Sequence, residues 1–250
     1  MLAISAMAVS CGSPRNSSEQ EERTASPSQV SIANEGYLVT SDSARLFYRV
    51  VGRGPDVVIF VHGGPGMNIE YVGRDFESLA ANHTVVLYDQ RGGGRSELPS
   101  DTTRLAVERQ VADLDEIRRH FHPGHVAIIA HSYGPLLAAA YALAHPDAVS
   151  RMVFIGPLPP RRGDVFARTD AEVNARLGVD DSKRAADALA RMNDPASDTR
   201  SACRDWARLI FRSRLVDPDS ILRSHPIDTD LCASEPESLR YGWNIASKPS

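Results

Sequence analysis

The stretch VAIIAHSYG, residues 126–134, constrains this chain more than any other part of it. A run of strand-forming apolar residues breaks into small-x-Ser-x-Gly and then into the alanine-rich stretch 135–144, which reads as a helix. A strand that turns so abruptly into a helix forces its central residue, Ser132, into strained backbone geometry. Only small side chains fit two places before and after it, and Ala130 and Gly134 stand there. The turn sets the Ser132 hydroxyl at the carboxyl end of a sheet, with a helix N-terminus beneath it. A serine so placed becomes a good nucleophile only when a histidine takes its proton and an acid orients that histidine.

Strand and helix signals alternate through the rest of the first 155 residues. Residues 36–41 and 45–51 alternate apolar and polar around the Asp42-Ser43 turn, a hairpin pattern. The runs DVVIFV (56–61) and HTVVLY (83–88) suit strands covered on both faces. Residues 69–81 predict a helix, and 104–121 predict another, with Leu105, Val111, Leu114 and Ile117 at helical spacing. Strands follow at 125–130 and 149–155. The alternation predicts an α/β fold with a mainly parallel sheet. Beyond residue 156 the pattern changes: 161–243 is charged and helix-prone without a buried-strand run, as in a helical cap inserted after the sixth strand.

Two further motifs sit at strand ends. HGGPG, His62 to Gly66, follows the DVVIFV strand directly. Glycines there let backbone N–H groups approach a ligand closely. Beside an elbow, such a loop supplies half of an oxyanion hole, with the Gly64 and Tyr133 N–H groups as the expected donors. DQRGGGRS, residues 89–96, lacks the third glycine of a dinucleotide-binding loop, since that place is Glu97. Asp89 and Arg91 are therefore expected to stiffen a loop beside the site, and His62 to pin its own loop.

HGGPG, DQRGGGRS and a small-x-Ser-aromatic-Gly elbow, in this order and spacing, resemble the proline iminopeptidase branch of the α/β-hydrolase superfamily. The resemblance covers residues of about 35 to 245. It implies a serine hydrolase with an eight-stranded sheet and a helical cap. It also implies acyl-enzyme chemistry without a cofactor or metal, releasing N-terminal residues, often proline, from peptides. The elbow reads Ala130-His131-Ser132-Tyr133-Gly134 where those peptidases usually have Gly-Gly-Ser-Trp-Gly. That leaves an esterase or amidase of the same fold as the alternative, so the expected substrate is a small peptide or ester.

In this family the acid and histidine follow the serine, and neither is found in its usual context here. Downstream of Ser132 only His145 and His225 occur, one at the far end of the elbow helix and one in the cap. His131 adjoins the serine, but neighbours at an elbow point in different directions. The position after the sixth strand reads Gly156-Pro157-Leu158-Pro159, without a carboxylate. The chain is thus expected to hold the first six strands and the cap, to lack the last two strands, and to be impaired as a hydrolase. In the cap, Glu235 and Glu237 are weak candidates for gripping a substrate amine. The expected organisation is a core over 35–157, a cap over 158–245 and a truncated end at 246–250. A non-catalytic surface lipoprotein that keeps the pocket for binding is the reading from another class.

That alternative arises from the N-terminus. Residues 1–9 are apolar, Ser10-Cys11-Gly12 follows, and 12–34 is a tether rich in Ser, Glu, Gln and Pro, expected to be disordered. Segment 1–11 resembles a bacterial lipoprotein signal, with Cys11 as the lipidated residue and the cell envelope or periplasm as the location; a cytoplasmic protein is the alternative. The segment has no Lys or Arg ahead of its apolar run, and Ala8 stands where leucine is usual. In an exported chain Cys203 and Cys232 are expected to pair, closing a loop of about 30 residues. Two separate buried thiols are the other reading. The net charge of −4 and the lack of a basic run give no reason to expect nucleic acid. No stretch reaches the ~20 apolar residues of a membrane span, so a lipid on Cys11 is the only membrane contact expected.

Overall fold

In the computed structural model, residues 32–158, 164–219 and 227–240 are described. The apolar runs form one six-stranded sheet: β1 (Ile32–Val39), β2 (Arg45–Val51), β3 (Asp56–Val61), β4 (His83–Tyr88), β5 (Val126–His131) and β6 (Val149–Ile155). Their spatial order is β1-β2-β4-β3-β5-β6. The β1–β2 and β2–β4 pairs are antiparallel, and β3 with β4, β3 with β5 and β5 with β6 are parallel. The central strands β3 and β5 end level with one another, with Val61 opposite Ala130. That register brings the loop after β3 and the turn after β5 side by side.

Ile59 and Phe60 are both fully buried although they point to opposite faces, as expected of a strand covered on both sides. On one face Ile59, Val86 and Ile128 meet Leu114 and Ile117 of α2 (Val107–Phe121) and Leu137 and Tyr141 of α3 (Gly134–Ala144). On the other, Phe47, Phe60, Val85 and Leu87 meet Ile69, Val72, Phe76 and Leu79. The segment expected as one helix over 69–81 is divided: α1 covers Glu70–Gly73 and a 3-10 stretch covers Arg74–Ala81. A Cβ at Gly73 would lie 2.9 Å from Leu87 Cδ2, so the chain hugs the sheet there, and Phe76 stacks on Phe60 with ring centroids 4.8 Å apart. The helix expected over 104–121 is also divided, because Ala106 (φ −57°, ψ 150°) separates a 3-10 turn at Thr102–Leu105 from α2. β1 starts four residues earlier than the alternation suggested, at Ile32, which pairs with Val51 through an irregular step before Asn34.

β6 is an edge strand, and among the described residues nothing covers its outer side: Met152, Val153 and Phe154 are 39%, 50% and 42% exposed. The cap follows. Its α4 (Val165–Asn193) is kinked at Gly178, where φ is 76°. Its α5 (Thr199–Arg214) is capped by the Asp198 carboxylate, which accepts from Ser201 N–H. Next come α6 (Ile227–Leu231) and a last helical turn over 236–240. Met192, Ala202, Cys203, Ala207, Leu231, Cys232 and Leu239 form the cap's core, and Tyr71 of α1 joins it. Cys203 and Cys232 are linked as a disulfide with Cα atoms 5.8 Å apart. No described helix is long and apolar enough to cross a membrane. Cys11, residues 12–31 of the expected tether, His225 and the segment 246–250 lie outside the described residues, whereas residues 32–34, expected as disordered tether, open β1 because they pair with β2.

Candidate active site

Ser132 adopts φ 57°, the left-handed conformation that a tight strand-to-helix turn imposes. Its N–H donates to Ile155 O (3.0 Å), and its carbonyl accepts from Leu158 N–H (2.9 Å). The strained residue is thus held from the end of β6. The need for a small residue two places on is a matter of ångströms: a Cβ at Gly134 would lie 2.3 Å from Val61 O and 2.9 Å from His62 O. Ala130, two places before, is fully buried. Pro135 sits in the first turn of α3, where its missing N–H costs nothing.

The glycine loop lies directly against the elbow. A Cβ at Gly63 would stand 2.8 Å from Ser132 Cβ, 2.5 Å from Tyr71 Oη and 3.2 Å from His131 Nδ1. Gly64, at φ 142°, has a backbone that L side chains rarely adopt. Tyr133 is the buried residue that opens α3, where first-turn amides have no acceptor within the helix. Gly64 and Tyr133 therefore belong to the two segments that meet at Ser132.

His62 pins the loop from within. It is fully buried; its Nε2 accepts from Gln90 N–H (2.9 Å), its Nδ1 is 2.5 Å from Gly63 O, and its own carbonyl accepts from the Gln90 amide (2.6 Å). Burial pulls its pKa down to about 4. Asp89 stiffens the adjoining loop, accepting from Ile69 N–H and Arg95 N–H, each at 2.8 Å. Burial outweighs those bonds and raises its pKa to about 6. Arg91 bridges Asp113 of α2 and Asp42 of the β1–β2 turn with its side chain 1% exposed. Its hydrogen bonds hold the Asp42 carboxyl well below the usual carboxylate range.

The cap docks on this end of the sheet through Asn68, whose amide donates to Asp230 O (2.9 Å) and Ser234 Oγ (3.2 Å). The same Ser234 hydroxyl accepts from Gly94 N–H at 3.1 Å. Glu235 and Glu237 are exposed and paired with Arg200 (3.0 Å) and Arg240 (2.8 Å), so each carboxylate already has a cation of its own. Among the described residues no histidine or carboxylate hydrogen-bonds the Ser132 hydroxyl. The His131 ring turns to Tyr71, Nδ1 to Oη 3.0 Å, and the His145 ring lies against Tyr141 at the far end of α3. Tyr71 and Asn68 were not singled out from the sequence. The one available signal was their position just past the glycine loop.

The alpha/beta hydrolase fold family model matches residues 56–222. A proline iminopeptidase of Heyndrickxia coagulans is 42% identical over 100 residues, covering 40% of this chain and 34% of that protein. One from Xylella fastidiosa (strain Temecula1) is 34% identical over 139 residues, 55% of this chain and 44% of that protein. The chain thus spans between a third and a half of the length of these relatives. Among solved structures, the proline iminopeptidase of Mycobacterium smegmatis superimposes with a TM-score of 0.54 at 19% identity, over 78% of this chain and 69% of that one, a likeness of fold. Sheet order, elbow and family match agree: this chain belongs to the α/β-hydrolase fold family.

Proposed function

We propose that this chain carries the nucleophile half of a serine hydrolase of the proline iminopeptidase-like type, with Ser132 as nucleophile and the Gly64 and Tyr133 N–H groups as the oxyanion hole. The observation that carries the reading is the backbone of Ser132, strained at φ 57° and in contact with the glycine loop. Strain of that kind persists where the surroundings enforce it, and an exposed nucleophile is its recurrent use. In the reaction the Ser132 oxygen loses its proton to the base and attacks a carbonyl, and the two amides receive the oxygen that becomes negative; collapse then breaks the scissile C–N or C–O bond, the amine or alcohol leaves with that proton, and water hydrolyses the acyl-enzyme. The likeness to proline iminopeptidases supports peptides with a free N-terminal residue as substrates. His131 and Tyr133, in place of the usual glycine and tryptophan of those peptidases, favour simple esters or amides as a second substrate class.

The chemistry needs a general base and an acid to orient it. Since no described histidine or carboxylate reaches the Ser132 hydroxyl, this reading takes both from outside the described residues, or else leaves the chain with the residual activity of a triad-deficient site. A lipid on Cys11 and a place in the cell envelope remain proposals resting on the N-terminal residues alone. A fluorophosphonate probe tests the core of the reading. On the protein extended by a relative's C-terminal segment, which supplies the base and acid, it is expected to label Ser132, with Ser132→Ala abolishing the label, and labelling that persists in Ser132→Ala overturns the assignment. Comparing proline-aminoacyl with simple ester substrates then separates the peptidase from the esterase.

A further inference from the structure

The Gly63 peptide is gripped on both sides by side chains whose protons can be traced one at a time. Gln90 N–H donates to His62 Nε2, so that nitrogen carries no proton. The His62 proton is then on Nδ1, from which it donates to Gly63 O. On the other side of the peptide, Gly63 N–H donates to Tyr71 Oη at 3.1 Å. Tyr71 is buried, and burial raises its pKa, so it keeps its own proton. That proton needs an acceptor. The partner in range is His131 Nδ1 at 3.0 Å. His131 therefore accepts on Nδ1 and carries its ring proton on Nε2, the opposite tautomer to His62. Burial keeps both rings neutral near neutral pH.

The packing around this chain of bonds leaves little slack, since a Cβ at Gly63 would collide with both Tyr71 Oη and Ser132 Cβ. The Tyr71 ring reaches the other way, into the cap core with Met192, Leu231 and Cys232.

We propose that Tyr71 is a positioning residue of the site: its hydroxyl fastens the glycine loop to the elbow by accepting the Gly63 amide and donating to His131 Nδ1, and its ring ties that fastening to the cap. The use of the clamp in catalysis rests on the hydrolase reading above, whereas the clamp itself does not. Through it, a shift of the cap core is felt at the peptide that precedes Gly64.

The test is nuclear magnetic resonance on protein labelled with 15N in histidine, with His131→Asn used to assign the ring. The unmutated protein is expected to show His131 protonated on Nε2 and His62 on Nδ1. Tyr71→Phe keeps the ring in the cap core and removes the hydroxyl. In it His131 becomes a mixture of tautomers, and the Gly63 amide exchanges with solvent at least about tenfold faster, while Ile59 and Ile128 in the flanking strands do not change. A purely structural tyrosine would lower stability and leave the tautomer alone. His131 found protonated on Nδ1 in the unmutated protein overturns the proposal, and that measurement stands even where Tyr71→Phe does not fold. An unchanged tautomer and unchanged Gly63 exchange in a folded Tyr71→Phe also overturn it. Serine labelling is read separately, on the extended protein: its failure there beside an Nε2-protonated His131 sinks the hydrolase reading and leaves the clamp intact.

Discussion

The carboxyl end of β3 and β5 and the outer flank of β6 are a strand or two apart, yet they are built in opposite ways. At the first, His62, Tyr71, Asp89 and Asn68 are each tied by hydrogen bonds, and glycines leave room only for backbone. At the second, Val153, Phe154 and Leu143 of neighbouring α3 face solvent, Leu143 at 86% exposure, with no cover among the described residues. The contrast separates two kinds of order. The site end is specified by directional contacts between segments far apart in the chain, such as His62 with Gln90 and Tyr71 with His131. The flank is specified by apolar pattern alone, which says that something should be buried and not against what.

The largest blow to this contrast should come from Gly134→Val, which drives side-chain atoms into the Val61 and His62 carbonyls. A loss of about 4 kcal/mol or more is expected in urea unfolding, since it is backbone that would have to move. A milder loss would mean that the elbow end has slack. Next comes the cap's hold on the site. Cys232 lies beside the segment that receives Asn68, and its bond to Cys203 closes a separation of 29 residues. Cys203→Ala with Cys232→Ala should cost about 3–4 kcal/mol on the chain-entropy estimate. Differential scanning calorimetry of the oxidised protein and the double variant would check it.

Smaller and more telling is the pH dependence of the two buried groups beside the loop. Asp89 is raised from 3.8 to about 6, so its contribution is present below pH 4 and lost as pH rises through 6. His62 is lowered from 6.5 to about 4, so its contribution is present above pH 6.5 and lost as pH falls through 4. On acidification through that window the two oppose each other. Asp89→Asn should therefore make acid destabilisation steeper and His62→Gln should make it shallower, each by an amount on the order of 1–2 kcal/mol. Unfolding curves across the window decide the sign, and a shared sign would break the account. The smallest effects belong to the flank: Val153→Thr or Phe154→Thr should change stability by about 0.5 kcal/mol or less while reducing self-association in sedimentation velocity. A loss approaching that of Gly134→Val would erase the contrast.

The same division explains what the sequence disclosed. The strands at 56–61 and 83–88 end where the apolar runs end, because a strand buried on both faces leaves no latitude in pattern. Ala130, Ser132 and Gly134 announce the elbow because sterics at that turn act over five residues. Tyr71 is silent by comparison. In an apolar helical run it reads as one more core side chain, and its partner His131 lies 60 residues further on. The pair Arg200–Glu235 was invisible for a similar reason, since nothing local tells a solvated carboxylate from one facing an arginine 35 residues away. Helix 69–81 was misjudged because helical spacing cannot register Leu87 pressing on Gly73 from the adjacent strand.

The two backbone bonds between Ser132 and the end of β6 give the contrast a mechanical side. The strained residue of the elbow is tethered to an exposed edge strand and the turn after it, through Ile155 O and Leu158 N. Fraying of that edge would slacken the tether and let Ser132 fall back to an ordinary extended conformation. The serine is then cocked only while β6 is seated, and amide exchange at Ser132 should keep pace with that of the edge strand rather than with the quiet β3 beside it. A contact that seats β6 firmly would act on the serine as a hand on a bowstring, from outside the site and without touching any ligand.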